Sequence, residues 1–360
     1  MKRFSSDTVL KPRAVFNPEG QSFNNPIMGG NTSGIMALNE CKYKKIVNEL
    51  YKYGTSLHWL PERQDMGNDK AQYLNLLPEF KEAYDTIISF LTFMDSAQTE
   101  NPMKFAQYLT AQEFSLLLAI QTFQEAIHTQ SYSYITESVM PTKDRKNVYD
   151  RIWRDNELLK TRNMEIADAY QIMRDNPTIL NVQRAMLADY ILEGVYFYNG
   201  FMFFNKLALR GEMKATNEII NLIKRDEIFH ILMYEVMINA IKEEGKWVIT
   251  EQDVYDLFEY GLLLEEQFSK SVLNKCIGFN DKLIENYTRY RVNRLLKNIG
   301  YKNNPWKDYV VNPHKKHDDM LENPSGGDVG FEQNLFTGQS STYVRSDSMS
   351  GDEGGFNDLL

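Results

Sequence analysis

Two stretches of the chain, Glu125-Ala126-Ile127-His128 and Glu227-Ile228-Phe229-His230, repeat one pattern, Glu-x-x-His, 102 residues apart. On a helix, residues i and i+3 share a face, so each pair presents a carboxylate and an imidazole to one point. The segment around the first pair, and those around two further acids, are apolar and almost free of charge. Between Phe114 and Thr136, Glu125 is the only acid and neither Lys nor Arg occurs. Glu193 is the only charge between Tyr190 and Asn205, and Asp95 closes the run Ile87-Ile88-Ser89-Phe90-Leu91-Thr92-Phe93-Met94. A carboxylate isolated on an apolar helix must be protonated, paired or metal-bound, because burying a bare charge is very costly. No matching set of Lys or Arg accompanies these four acids. Taken singly, each reads as an ordinary core residue satisfied by a hydrogen bond. All six together, in matched helical spacing, read as a site for two metal ions. Four carboxylates and two imidazoles form a hard, oxygen-rich set that suits iron or manganese better than a thiolate-bound zinc.

Such a site requires several long helices facing one another, and the rest of the sequence agrees. Helical periodicity predicts spans of about 37–55, 78–99, 103–136, 145–175, 180–207, 213–243, 251–274 and 277–299. The breaks carry turn chemistry, as at Asn101-Pro102, Asn176-Pro177 and Arg210-Gly211. No alternation lasts long enough for a sheet, so the expected fold class is all-α. Residues 1–34, with Pro12, Pro18, Pro26 and Gly29-Gly30-Asn31, read as an extended N-terminal arm. The helical domain then occupies 35–312, and 313–360 form an acidic C-terminal tail.

Charge is unevenly placed along the chain. From Asp318 to Leu360 there are nine acids against one arginine, so of the net −9 only −1 belongs to the other 317 residues. A near-neutral body lacks the basic face of a nucleic-acid binder. Seven of the 20 glycines fall between Gly326 and Gly355, a composition that cannot offset its ordering entropy by burial. Isolated apolar residues in this tail, ending in Phe356-Asn357-Asp358-Leu359-Leu360, leave open a docking peptide and a terminus without a task. Cys41 and Cys276 lie far apart, which argues against a disulfide framework and a thiolate metal site. No apolar signal region follows Met1-Lys2-Arg3, and the most apolar stretch, near 190–204, falls short of the ~20 residues of a membrane span. A cytoplasmic protein without membrane attachment is expected.

Tyr132 follows His128 by one helical turn, which puts its phenol beside the metals on the same face. With 21 tyrosines in the chain, position alone does not separate a redox role from packing. Phe197, Phe201 and Ile223 are spaced to face the same centre and to keep water away from it.

The ligand pattern is similar to that of ferritin-like di-iron and di-manganese bundles, in which two helices give a Glu each and two give Glu-x-x-His. Here Asp95 stands where that pattern has Glu. More closely, the chain resembles the small (beta) subunit of class I ribonucleotide reductase, from about residue 35 to the C-terminus. The strings that carry the likeness are Met94-Asp95-Ser96 with Gln98, Glu125-Ala126-Ile127-His128-Thr129-Gln130-Ser131-Tyr132, Leu192-Glu193 with Phe197-Tyr198, and Arg225-Asp226-Glu227-Ile228-Phe229-His230.

The resemblance implies a ferritin-like bundle with additional helices, paired as a homodimer. It implies that Asp95, Glu125 and His128 bind one metal and Glu193, Glu227 and His230 the other. The metals would be iron, with manganese as the other candidate, and Tyr132 would carry a stable radical formed with dioxygen. Trp59, in His58-Trp59-Leu60-Pro61-Glu62, would pass the oxidising equivalent outward, and Asp226 would link it to the metal-bound histidine. Tyr343 would relay it at the interface with the large (alpha) subunit, on which the last residues would dock. The large subunit would hold nucleotide and reactive cysteines, giving a ribonucleoside-diphosphate reductase that works only as a pair of subunits. A flavoprotein activase is a further partner the resemblance allows. The rival within the same fold is a di-metal oxidase or hydroxylase acting directly on an organic substrate. It explains the ligands equally well, but not Trp59, Tyr132, Asp226 and a tail containing Tyr343 together. An iron-storage bundle and a plain helical scaffold explain less.

Overall fold

The computed structural model describes residues 5–315. Among them regular structure is helical, with no strand beyond the isolated bridges Val9↔Thr178, Gln21↔Thr32 and Met28↔Leu109. The long helices are α1 (Pro78–Gln98), α2 (Glu113–Val139), α3 (Glu157–Asp175), α4 (Ile179–Ile191), α5 (Tyr198–Leu209), α6 (Lys214–Glu243), α7 (Glu251–Leu273) and α8 (Asp281–Asn298). Their starts follow local chemistry. Pro78 sits in the first turn of α1, where its missing N–H costs nothing. Asn156, Thr178, Thr250 and Asn280 each accept a backbone N–H at the start of α3, α4, α7 and α8.

α6 is capped from outside its own sequence. The side chain of Asp69, in the short helix Gly67–Leu74, accepts from the Thr216 N–H and Oγ1 at 2.7 and 2.8 Å and from the Ala215 N–H at 3.3 Å. Asp69 is buried, so its charge at the helix N-terminus is little screened. Asp69→Ala would leave these donors buried without partners. The expected cost is about 2 kcal/mol of unfolding free energy, read from denaturant titration. A change within ~0.5 kcal/mol, the usual range for a featureless surface position, would mean that the cap is not what holds α6.

Five elements build the centre of the molecule. α1 packs on α2, α2 on α6, and α6 on α5 and on the turn joining α4 to α5. α8 closes over that turn, and α7 packs against α3 and α8. α5 is mostly apolar and core-facing, with Phe201, Phe203, Phe204 and Leu207 all fully buried.

The breaks within the expected spans have tertiary causes. The stretch expected as one helix over 103–136 is Met103–Ala106 and then α2, because the intervening backbone pairs with the N-terminal arm. The Thr110 N–H donates to Ile27 O at 2.7 Å, and Gln107 O accepts from the Arg13 N–H at 2.8 Å. Asn156 divides the span expected at 145–175 by capping α3. The helix Gly67–Leu74 has no counterpart among the expected spans. The first helical region is a 3₁₀ turn at Leu38–Glu40 followed by a π turn at Ile46–Tyr51 and Lys52–Ser56. Residues 5–34 hold no helix and lie on the body. Glu244 accepts the Ile27 N–H at 3.1 Å, while Lys246 donates to Met28 O at 2.6 Å.

Candidate metal centre

α1 supplies Asp95, α2 Glu125 and His128, and α6 Glu227 and His230. Glu193 comes from a π turn, Leu192–Tyr196, inserted between α4 and α5. Such a turn re-aims one side chain within an otherwise continuous helix and is found mostly at functional sites. Its backbone is held by Arg291, whose Nε donates to Gly194 O at 2.9 Å. At Gly194 a Cβ would stand 2.4 Å from a methyl of Leu295, so glycine allows α8 to close on the turn.

All six side chains are completely buried. Their ligand atoms form two overlapping groups, Asp95, Glu125, His128 and Glu227 in one, Glu125, Glu193, Glu227 and His230 in the other, each within 4.8 Å of one another. Glu125 and Glu227 belong to both and stand between the two positions. The imidazoles are the ion-pair partners of these acids. His128 Nδ1 lies 3.3 Å from Glu125 and from Glu227, and His230 Nδ1 lies 2.7 Å from Glu227, 3.3 Å from Glu125 and 3.5 Å from Glu193.

The donor set tests whether metals fit. Asp95 Oδ1, both oxygens of Glu125 and of Glu227, Glu193 Oε2 and Nδ1 of both histidines are buried without a hydrogen bond. Buried polar atoms are otherwise nearly always paired, so eight convergent orphans define an inner surface made for cations. Electrostatics give the same answer. Burial, then the charge of neighbouring carboxylates, pushes Asp95 and Glu193 well above the usual carboxylate range and raises Glu125. Burial would raise Glu227 as well, but His128 and His230 outweigh it and hold this carboxyl low. Burial opposes charging of the imidazoles, and Glu227 overrides it to raise both. A set with these opposed tendencies calls for added positive charge, and cations binding there would displace protons.

The outer atoms of the ligands are fixed by neighbours, as metal-bound histidines require. His128 Nε2 lies 3.3 Å from Asp226 Oδ2, and the same oxygen accepts the Trp59 indole N–H at 2.7 Å. Arg225 donates to the other oxygen of Asp226 at 3.2 Å and to Leu57 O at 2.6 Å, tying the Trp59 segment to α6. His230 Nε2 lies 3.0 Å from Gln124 Oε1. The Tyr132 hydroxyl donates to Asp95 Oδ2 at 2.7 Å. Burial, followed by the charge of Asp95, keeps this phenol well above its ordinary pKa and hence neutral. Phe197, Phe201 and Ile223 are fully buried.

The structure thus brings together Asp95, Glu125, His128, Glu193, Glu227, His230, Tyr132, Asp226 and Trp59. Tyr343 lies outside the described residues. Sequence reasoning did not single out Gln121, Gln124, Asp189 or Tyr234. Gln121 Nε2 donates to Glu193 Oε1 at 2.9 Å. Tyr234 could have been found, because it follows His230 by four residues as Tyr132 follows His128. The others carry no local signature.

Comparison with known proteins agrees with this centre. The family model for the ribonucleotide reductase small chain matches residues 35–313. The ribonucleoside-diphosphate reductase subunit beta of Treponema pallidum is 33% identical over 351 residues, covering 96% of this chain and 98% of that one. The corresponding protein of Halalkalibacterium halodurans is 30% identical over 328 residues, covering 90% and 94%. Among solved structures, the ribonucleotide reductase R2 subunit from Clostridium botulinum superposes with a TM-score of 0.83 at 37% identity, covering 87% of this chain and 99% of that one. A matched family model across most of the chain, relatives similar over nearly their whole length and a buried two-position carboxylate-histidine cluster lead to one conclusion: the chain belongs to the ribonucleotide reductase small-chain family.

Proposed function

We propose that this chain is the radical-generating small subunit of a ribonucleoside-diphosphate reductase, in which Tyr132 stores an oxidising equivalent that is delivered to a large subunit. The observation that carries the reading is the Tyr132 hydroxyl 2.7 Å from Asp95, beside two positions lined by six buried ligands. Asp95, Glu125 and His128 hold one metal, and Glu193, Glu227 and His230 the other, with Glu125 and Glu227 placed to reach both. Iron is the favoured metal and manganese the other candidate, because oxygen and imidazole donors serve either. When bound in reduced form, the metals supply electrons to dioxygen and so generate an oxidant strong enough to oxidise a phenol.

The chain's own residues do the rest. Tyr132 gives up an electron while its proton has Asp95 Oδ2 as a ready acceptor. Phe197, Phe201 and Ile223 keep water from the neighbourhood. Trp59, Asp226 and His128 form a bonded line from the centre toward the start of the folded body, along which the equivalent leaves. Tyr343 and the tail complete the route by docking on the large subunit. The protein acts as a homodimer in the cytoplasm, with a flavoprotein activase as the further partner this reading allows. No helix among the described residues is long and apolar enough to cross a membrane.

The test is electron paramagnetic resonance of metal-free protein given ferrous iron and dioxygen, with a parallel manganese sample. A tyrosyl-radical signal accompanied by two metals per chain is expected. Two bound metals with no radical under either condition, together with oxidation of an added organic substrate, would replace this reading with a direct oxidase.

A further inference from the structure

The two halves of the centre share more than Glu-x-x-His. On α2 the sequence is Glu125-x-x-His128-x-x-x-Tyr132, and on α6 it is Glu227-x-x-His230-x-x-x-Tyr234. Both tyrosines are fully buried, and each phenol donates to a fully buried aspartate. Tyr132 bonds Asp95, and Tyr234 bonds Asp189. Asp189 sits one helical turn before Glu193, so the second phenol is paired with a carboxylate next to the ligand set, where the first is paired with a member of it.

A bonded route joins Tyr234 to the ligands. Its hydroxyl lies 3.2 Å from Gln121 Oε1, and the amide nitrogen of the same Gln121 donates to Glu193 Oε1 at 2.9 Å. Gln98 Nε2 donates to Asp189 and lies 3.3 Å from Glu193 Oε1. A second phenol, Tyr170, donates to Gln98 Oε1 at 3.0 Å, and the ring of Phe105 lies against both tyrosines at 5.7 and 6.3 Å between centroids.

Tyrosine–carboxylate bonds recur elsewhere in the core, as between Tyr190 and Glu235 at 2.8 Å; Tyr234 is set apart by its spacing of four from His230 and its bonded route to Glu193. A buried hydroxyl is satisfied by a neutral amide, whereas a buried carboxylate carries a desolvation cost of several kcal/mol. What a carboxylate adds is the ability to take the proton. We propose that Tyr234 is a second redox-active tyrosine, serving the metal held by Glu193 and His230 as Tyr132 serves the one held by Asp95 and His128, with Asp189 accepting its proton. The inference rests on the function proposed above. The oxidant is the centre after its reduced metals have reacted with dioxygen. One electron passes from the Tyr234 phenol to that centre, which becomes one equivalent more reduced. The phenolic O–H bond breaks, an O–H bond forms on Asp189, and a neutral phenoxyl remains on Tyr234.

The experiment is freeze-quench paramagnetic resonance of full-length protein loaded with ferrous iron and mixed with dioxygen. Wild type, Tyr132→Phe and Tyr132→Phe/Tyr234→Phe are compared. Wild type is expected to give the Tyr132 radical. Tyr132→Phe is expected to give a transient tyrosyl signal that changes when ring-deuterated tyrosine is supplied and disappears in the double variant. Placing 3-fluorotyrosine at position 234 of the Tyr132→Phe protein adds fluorine splitting only if the spin is on that ring, and removes no side chain. Asp189→Asn in the Tyr132→Phe background keeps the packing and is expected to slow radical formation on the order of 100-fold. A Tyr132→Phe signal without fluorine splitting, or one that persists in the double variant, overturns the proposal. So does the absence of any tyrosyl signal in Tyr132→Phe while wild type forms its own. Absence of a radical in wild type as well would sink the underlying reading and this inference with it.

Discussion

Tyr132→Phe is expected to bind two metals per chain and to fold normally, while the stable radical disappears and turnover with the large subunit falls on the order of 10⁴-fold or more. The substitution removes one oxygen and keeps the ring that fills a fully buried position. The lost contact is the 2.7 Å bond to Asp95 Oδ2, and that oxygen remains available to a metal. Stability should therefore change by about 1 kcal/mol, the usual worth of one hydrogen bond. Chemistry changes far more, because a phenyl ring has no O–H to give up and is much harder to oxidise. Tyr234 does not replace it, since its bonds run through Gln121 to Glu193 and not to His128, where the Trp59–Asp226 line ends. Metal content, radical yield and turnover are measured on the same sample. Normal turnover in the variant would sink a mechanism that stores the equivalent on Tyr132.

Trp59→Phe is expected to do the opposite to the radical and the same to turnover. Radical yield at Tyr132 should stay within about twofold of wild type, while reductase activity with the large subunit drops on the order of 10³-fold or more, as for other groups the whole reaction must pass through. Trp59 is 4% exposed, and its indole N–H donates to Asp226 Oδ2 at 2.7 Å. Phenylalanine retains an aromatic ring there but offers neither the N–H nor an easily oxidised system. Asp226 stays anchored by Arg225, so His128 keeps its orientation and the metals their ligand. Asp226→Asn, with the indole intact, interrupts the same line one step inward and should lose turnover as well. A Trp59→Phe enzyme with full activity and a full radical would place the exit route elsewhere.

Much of this centre could be read in one dimension because its chemistry is written in helical arithmetic. A spacing of three puts a carboxylate and an imidazole on one face, and a spacing of four adds Tyr132, whatever the helix packs against. Isolation of Asp95, Glu125 and Glu193 in apolar runs marked them as buried before any neighbour was known. The same reasoning applied to His230 would have reached Tyr234. The N-terminal arm was less legible, since Ile27 and Met28 are pinned by Glu244 and Lys246, more than 200 residues away.

The sequence by itself determined the all-helical class, the six buried carboxylate and histidine side chains that group together and the tyrosine beside them, because burial cost and helix period act within a few residues of each position. Tertiary structure alone decided which ligands stand between the two metal positions, since Glu125 and Glu227 meet only when α2 and α6 pack. It also decided the π turn that aims Glu193, held by Arg291 on α8, and the interruption before α2, where backbone donors turn to the arm. The cap that Asp69 places on α6 and the convergence of Gln98, Gln121, Tyr170 and Tyr234 around Asp189 and Glu193 have the same origin. Each depends on contacts between residues far apart in the chain, and such partners are selected by packing, which no local pattern encodes.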